Sequence, residues 1–175
     1  MKWKKGAALL LGAMLTVGLI AGCGNSADNG GKTDGKKVIT FAAETTYPPF
    51  EYAEGDKYKG FDVDLSNALA KEMGAEAKFV SMGFDALIPA LQGKQIDAIA
   101  SGLVITKERE EKIAFTDPYY EVSLTMVVRK DENNIKSEAD IAGKTVAAQI
   151  GTTGAMLAKE KPGTTVKEFD AIPNM

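Results

Sequence analysis

Histidine is missing altogether from these 175 residues, which removes the commonest general base and the commonest metal ligand. There is one cysteine, Cys23, so no internal disulfide can form. No apolar run reaches the roughly 20 residues that a spanning helix needs; the longest, Ala7 to Ala21, is 15 residues. Surplus positive charge is missing too. The net charge is −3, which argues against a nucleic-acid partner and against adhesion to anionic lipid through basic patches. Neither a cofactor nor a metal is expected.

What is present begins with an address. Lys2, Lys4 and Lys5 precede the Ala7–Ala21 stretch, and Ile20-Ala21-Gly22-Cys23 ends it on small residues. Residues 1–22 therefore read as a signal peptide and not an anchor helix. Its removal takes three lysines and no acids, moving the net charge from −3 to −6. Ordinary secretion with a stray cysteine is the plainer alternative to a modified Cys23. Residues 24–37 are mostly Gly, Asn, Asp and Lys with almost nothing to bury, the composition of a flexible tether.

From Val38 the pattern is α/β. Strands are expected at Val38–Ala43, Ala77–Val80 and Ala98–Ala100, with helices between them. The first helix is expected to be capped by Asp62, to bury Val63, Leu65, Leu69 and Met73, and to stop at Gly74. The second covers Phe84–Leu91. Ser123–Arg129 reads as a long alternating strand, followed by a strand at Thr145–Ala148, a helix at Ala155–Lys159 and a strand at Thr165–Phe169. Alternation of this kind predicts a mostly parallel sheet with helices on its faces. Ligands of such sheets sit beyond the carboxyl ends of the strands, where Glu44–Tyr47 and Ser101-Gly102 both fall.

The stretch Asp97–Arg109 holds the most chemistry. A strand runs into Ser101-Gly102, whose small size lets a ligand approach the backbone. Thr106 suits an N-cap, which puts Arg109 at the third helical position. A cation there opposes the helix dipole unless an anion sits beside it. Backbone N–H groups, a hydroxyl and a guanidinium thus converge where a carboxylate could bind. The bland alternative pairs Arg109 with Glu108, Glu110 or Glu111 on a solvated face. Tyr47 and Phe84 could be core aromatics, Thr152 and Thr153 caps, and Asp62 and Asp64 a cap with a first-turn acid.

Five segments in register carry a family resemblance: Glu44-Thr45-Thr46-Tyr47-Pro48-Pro49-Phe50-Glu51-Tyr52, Gly60-Phe61-Asp62-Val63-Asp64-Leu65, Phe84-Asp85-Ala86-Leu87-Ile88-Pro89-Ala90-Leu91, Ile113 to Tyr120, and Gln149-Ile150-Gly151-Thr152-Thr153-Gly154. With Asp97–Arg109 they resemble the polar amino-acid family of extracellular solute-binding proteins, the receptors of ABC importers. Ile20–Cys23 is similar to a bacterial lipobox, which makes Cys23 a lipidated first residue on the extracytoplasmic face of the cell membrane. The resemblance implies a two-lobe α/β fold of mostly parallel sheets: lobe one over residues 38–121, lobe two over 122–175. The second lobe and the return to the first are expected to be incomplete in this chain, as in a fragment. Such a chain, as residues 24–175, is expected to bind amino acids no tighter than about millimolar.

The resemblance also assigns roles. Arg109 grips the ligand's α-carboxylate, helped by backbone N–H groups at Gly102 and Val104 and by Thr153 from the other lobe. Ser101 offers its carbonyl to the α-ammonium. Tyr47 and Phe84 sandwich the ligand side chain, and Glu44 faces its far end. The implied ligand is arginine or lysine first and glutamine second; the implied partner is an ABC permease; the implied state is a monomer without catalysis. Two other classes share this architecture, a periplasmic dehydratase acting on prephenate-like substrates and the sensor domain of a signalling receptor.

Overall fold

β1 (Lys37–Ala43) is the middle strand of a parallel three-stranded sheet in the order β5-β1-β6. It pairs along its whole length with β5 (Ala75–Ser81), and at Phe41 and Ala42 with β6 (Ala98–Ile99). A central strand is buried on both faces, and the sequence supplies this with Ile39, Phe41, Ala42 and Ala43, all at or below 7% exposure. The computed structural model describes residues 35–175; the signal peptide, Cys23 and most of the tether lie outside the described residues.

Between β1 and the first helix the chain forms a small antiparallel sheet, β2 (Thr46–Tyr47), β3 (Glu51–Glu54) and β4 (Lys57–Lys59). The β3–β4 turn places Gly55 at φ 59°, a conformation that glycine adopts without steric cost. This sheet places Glu51 inside the molecule, at 1% exposure.

α1 (Phe61–Glu72) differs from the expectation in two ways. Its N-cap is Gly60 and not Asp62; Asp62 sits in the first turn and is wholly buried. A Cβ on Gly60 would come within 2.2 Å of the Phe50 carbonyl oxygen, and its φ is 118°, so only glycine fits there. The buried face is Asp62, Val63, Ser66 and Ala70, whereas Leu69 and Met73 are 45% and 61% exposed. Small residues let the helix lie close against β5 and β1, and that favours the Ser66–Ala70 face over the leucine face.

The second helical segment is a 3-10 turn over Phe84–Ala86 that continues into α2 (Leu87–Gln92). Leu87 and Ala90 of α2 pack with Ala42 and Ile96 under the sheet. α3 (Lys107–Glu110) is capped by Thr106, whose hydroxyl accepts from the Arg109 N–H.

Beyond residue 121, β7 (Thr145–Gln149) and β8 (Thr165–Phe169) form a parallel pair joined by α4 (Thr153–Glu160). This helix starts two residues earlier than the expected Ala155, because Thr152 caps it by accepting from Ala155 N–H. The expected strand over Ser123–Arg129 is not formed. Among the described residues nothing pairs with it, and a strand without a ladder partner leaves its backbone to water. Its apolar side chains stay outside, with Leu124 58% and Val127 94% exposed.

Candidate functional site

The carboxyl ends of β1 and β6 lie side by side, and their loops meet. Ser101 joins them: its Oγ accepts from the Glu44 N–H at 3.0 Å and donates to Glu51 Oε1 at 2.8 Å. Glu44 is itself buried at 7% exposure, and its Oε2 accepts from Thr46 Oγ1 at 2.8 Å. Gly102 follows at φ 51°, and a Cβ there would lie 3.7 Å from the Tyr47 ring. Tyr47 therefore stands over the Ser101-Gly102 turn, and its ring stacks on Phe50 at 5.5 Å and 12°.

Arg109 is 3% exposed. Its Nη1 donates to the Val104 carbonyl at 2.6 Å and its Nη2 to the Gly151 carbonyl at 3.0 Å. The guanidinium carbon lies 5.7 Å from the centre of the Phe84 ring, an arrangement that favours a cation. Among the described residues no carboxylate forms an ion pair with it. Glu108 turns instead to Lys112 at 2.9 Å, so the solvated-face pairing is not what the chain adopts. Burial pulls the Arg109 pKa below its ordinary value, with the Glu108 charge opposing. A buried cation held only by neutral carbonyls costs several kcal/mol relative to a paired one, on the order of the penalty for breaking a buried pair. An arriving anion would relieve that cost.

The structure brings Arg109, Phe84 and Val104 together, and brings Glu44, Tyr47, Ser101 and Gly102 together on the adjoining turn. Thr153 begins α4 just past Gly151, so it offers one of the amides that a helix start leaves without an intrahelical acceptor. The expectation for Gly102 needs revision. Its N–H already donates to Asp62 Oδ2 at 2.9 Å and approaches Tyr119 Oη at 3.2 Å, so it points into the fold. A cleft of about 410 Å³ shares Val104 and Thr153 with the site, but its other walls include Val122, Leu124, Met156 and Leu157. Mostly apolar, it lacks the convergent polar groups found around Arg109.

Two carboxyl groups behind the turn have no site role in the sequence reading, which made Asp62 only a helix cap. Asp62 Oδ2 accepts from Tyr119 Oη at 2.9 Å as well as from Gly102. Glu51 lies beside it, and burial pushes the Glu51 carboxyl up to about 9, helped by the Asp62 and Glu44 charges and opposed by the Ser101 hydrogen bond. The Tyr119 phenol is pushed up for the same first reason, burial, and by Asp62. The sequence signal is only that each acid directly follows an aromatic, Glu51 after Phe50 and Asp62 after Phe61, which carries no chemistry without the fold.

Residues 39–172 match the bacterial extracellular solute-binding proteins, family 3. The arginine-binding extracellular protein ArtP of Bacillus subtilis (strain 168) is 43% identical over 157 residues, covering 90% of this chain and 60% of that protein. The ABC transporter arginine-binding protein 1 of Escherichia coli (strain K12) is 39% identical over 138 residues, covering 78% and 56%. A solved ancestral arginine-binding protein bound to arginine superimposes with a TM-score of 0.75 at 39% identity, covering 80% of this chain and 64% of that one. The chain thus spans about 60% of the length of these relatives, each named as an arginine-binding protein. With its parallel α/β sheets and an architecture matching a two-lobe binding protein, the chain belongs to the bacterial extracellular solute-binding proteins, family 3.

Proposed function

We propose that this protein is an extracytoplasmic receptor that captures a polar, basic amino acid and hands it to an ABC permease. The buried guanidinium of Arg109, with no carboxylate partner among the described residues, carries the reading. Two of its five N–H groups go to the Val104 and Gly151 carbonyls, and the donors that remain suit the α-carboxylate of an amino acid. Thr153 and Val104 contribute amides beside it, and the Ser101 carbonyl takes the α-ammonium. Tyr47 and Phe84 face the ligand's side chain, and Glu44 meets its far end. Thr46 Oγ1 already satisfies Glu44 Oε2, so the donor a ligand must bring is for Oε1, which an apolar ligand would cover and leave unpaired at ~1–3 kcal/mol. Arginine or lysine therefore comes first and glutamine second, which agrees with the arginine-binding relatives.

In this reading residues 38–121 and 122–175 belong to two lobes that close over the ligand by a hinge motion. The Arg109–Gly151 hydrogen bond links the two segments across that division. Lipidation of Cys23 would hold the monomeric receptor at the membrane on its tether. The test is a calorimetric screen of the twenty amino acids on the full-length protein isolated from its own cells. Arginine or lysine is expected to bind best. Leucine, valine or glutamate as the best ligand would overturn the assignment of Glu44.

A further inference from the structure

Glu51 and Asp62 are 1% and 0% exposed, and three of their contacts are plain. Glu51 Oε1 accepts from Ser101; Asp62 Oδ2 accepts from Gly102 N–H and from Tyr119. The remaining oxygens, Glu51 Oε2 and Asp62 Oδ1, are sealed from water and meet no donor. Their partners, the Ser101 hydroxyl and the Gly102 N–H, are adjacent on one turn, and that brings the two carboxyl groups together. Two ionised carboxylates in that arrangement would leave two buried acceptors facing like charge, a combination that proteins avoid. A single proton removes both defects at once. With Glu51 Oε2 protonated, it donates to Asp62 Oδ1, and every polar atom of the pair has a partner.

We propose that Glu51 and Asp62 share one proton between Oε2 and Oδ1, and that this acid pair is the positioning device for the Ser101-Gly102 turn. The pair grips the turn from behind at two points, the Ser101 hydroxyl and the Gly102 amide. It thereby sets where the Ser101 carbonyl and the Tyr47 ring stand in the site. Glu51 comes from β3, Asp62 from α1 and Tyr119 from the segment after α3, so three elements are locked to one turn. The ionisable groups facing Glu51 are Asp62, Glu44 and Tyr119, all acidic, and none supplies a compensating cation. The positioning role rests on the receptor reading above; the shared proton does not.

The full-length protein tests this, and the first readouts need no ligand. Infrared spectroscopy should show a protonated carboxylic acid C=O stretch persisting at neutral pH and disappearing near pH 9. Glu51→Gln should abolish that band while keeping the fold, because its amide NH2 can donate to Asp62 Oδ1 as the acid does. The Gly102 amide shift by NMR should move with the midpoint of the band in the parent and stay flat in Glu51→Gln. Parent stability should decline from pH 4.5, the ordinary glutamate value, up to about 9, because the unfolded chain loses this proton first. The variant should lack that decline.

Arginine affinity should then fall with rising pH in the parent by roughly tenfold relative to Glu51→Gln, about one hydrogen bond's worth. The ligand's own titration is common to both and cancels in the ratio. Absence of the band at neutral pH, or its survival in Glu51→Gln, overturns the shared proton. A band without coupled movement of Gly102 overturns the positioning role. A protein that shows the proton yet binds no amino acid overturns the receptor reading and leaves the pair standing.

Discussion

Two buried charges sit within one site, and the chain treats them in opposite ways. On the Arg109 side the charge is kept, held by two neutral carbonyls and an aromatic face. On the Glu51–Asp62 side charge is given up, because a proton there satisfies atoms that nothing else reaches. Solvent is excluded equally from both, so burial alone does not decide the outcome. The geometry of the neighbours does. A guanidinium has five donors in a fixed fork and cannot shed its proton, so it waits for an anion. A carboxyl pair can absorb one proton and become a structural tie.

The largest expected effect is on the Arg109 side. Arg109→Ala should weaken arginine binding by ~2–5 kcal/mol, as for truncation of one partner of a buried charged pair. Arg109→Lys should do nearly as much damage, since lysine lacks the planar fork. Calorimetry reads both. Affinity of Arg109→Ala within about threefold of the parent, under ~1 kcal/mol, would move Arg109 to the purely structural side of the comparison.

Next comes Asp62→Ala, which takes the acceptor from the Tyr119 hydroxyl and leaves the Gly102 amide only its longer bond to Tyr119 Oη, at 3.2 Å. A cost of ~1–3 kcal/mol in urea unfolding follows for each donor left buried and unpaired. Gly102→Ala should cost ~1–2 kcal/mol, the penalty of a side chain at positive φ. Its new Cβ would only touch Tyr47, at 3.7 Å, so arginine binding should change less than stability does. Tyr119→Phe is the mildest, at ~1 kcal/mol in the same assay, since Asp62 Oδ2 keeps its bond from Gly102. If Tyr119→Phe proved costlier than Asp62→Ala, the tie would run through the phenol and not through the acid pair.

Much of the Arg109 side was legible in the sequence. Thr106 three residues before Arg109 fixes a short helix start by local chemistry, and the structure forms that cap. β1 was legible because it is an apolar run that buries four of its seven residues, and β5 and β6 because each carries a short apolar segment between turn residues. The acid pair was not legible. Reading Asp62 as a cap was reasonable from its place before an apolar run, but Gly60 alone fits beneath the Phe50 carbonyl. Which face of α1 would be buried depended on how closely it lies against the sheet, and the stronger apolar stripe of Leu65, Leu69 and Met73 pointed the wrong way. Ser123–Arg129 carries a fair strand pattern, yet pattern supplies no pairing partner. The short sheet over residues 46–59 went unread although Glu54-Gly55-Asp56 between Tyr52 and Tyr58 is a usable hairpin signal.

The two carbonyls that grasp Arg109 also have a consequence for how tightly anything can bind there. An arginine on an open surface samples many rotamers, and freezing it removes about 1.5–2 kcal/mol of side-chain entropy. Here Val104, Gly151 and the Phe84 ring have already confined the guanidinium. That loss belongs to folding and not to association. A ligand meeting this fork gains contacts without having to still it first, and preorganisation of this kind raises affinity with no added contact area.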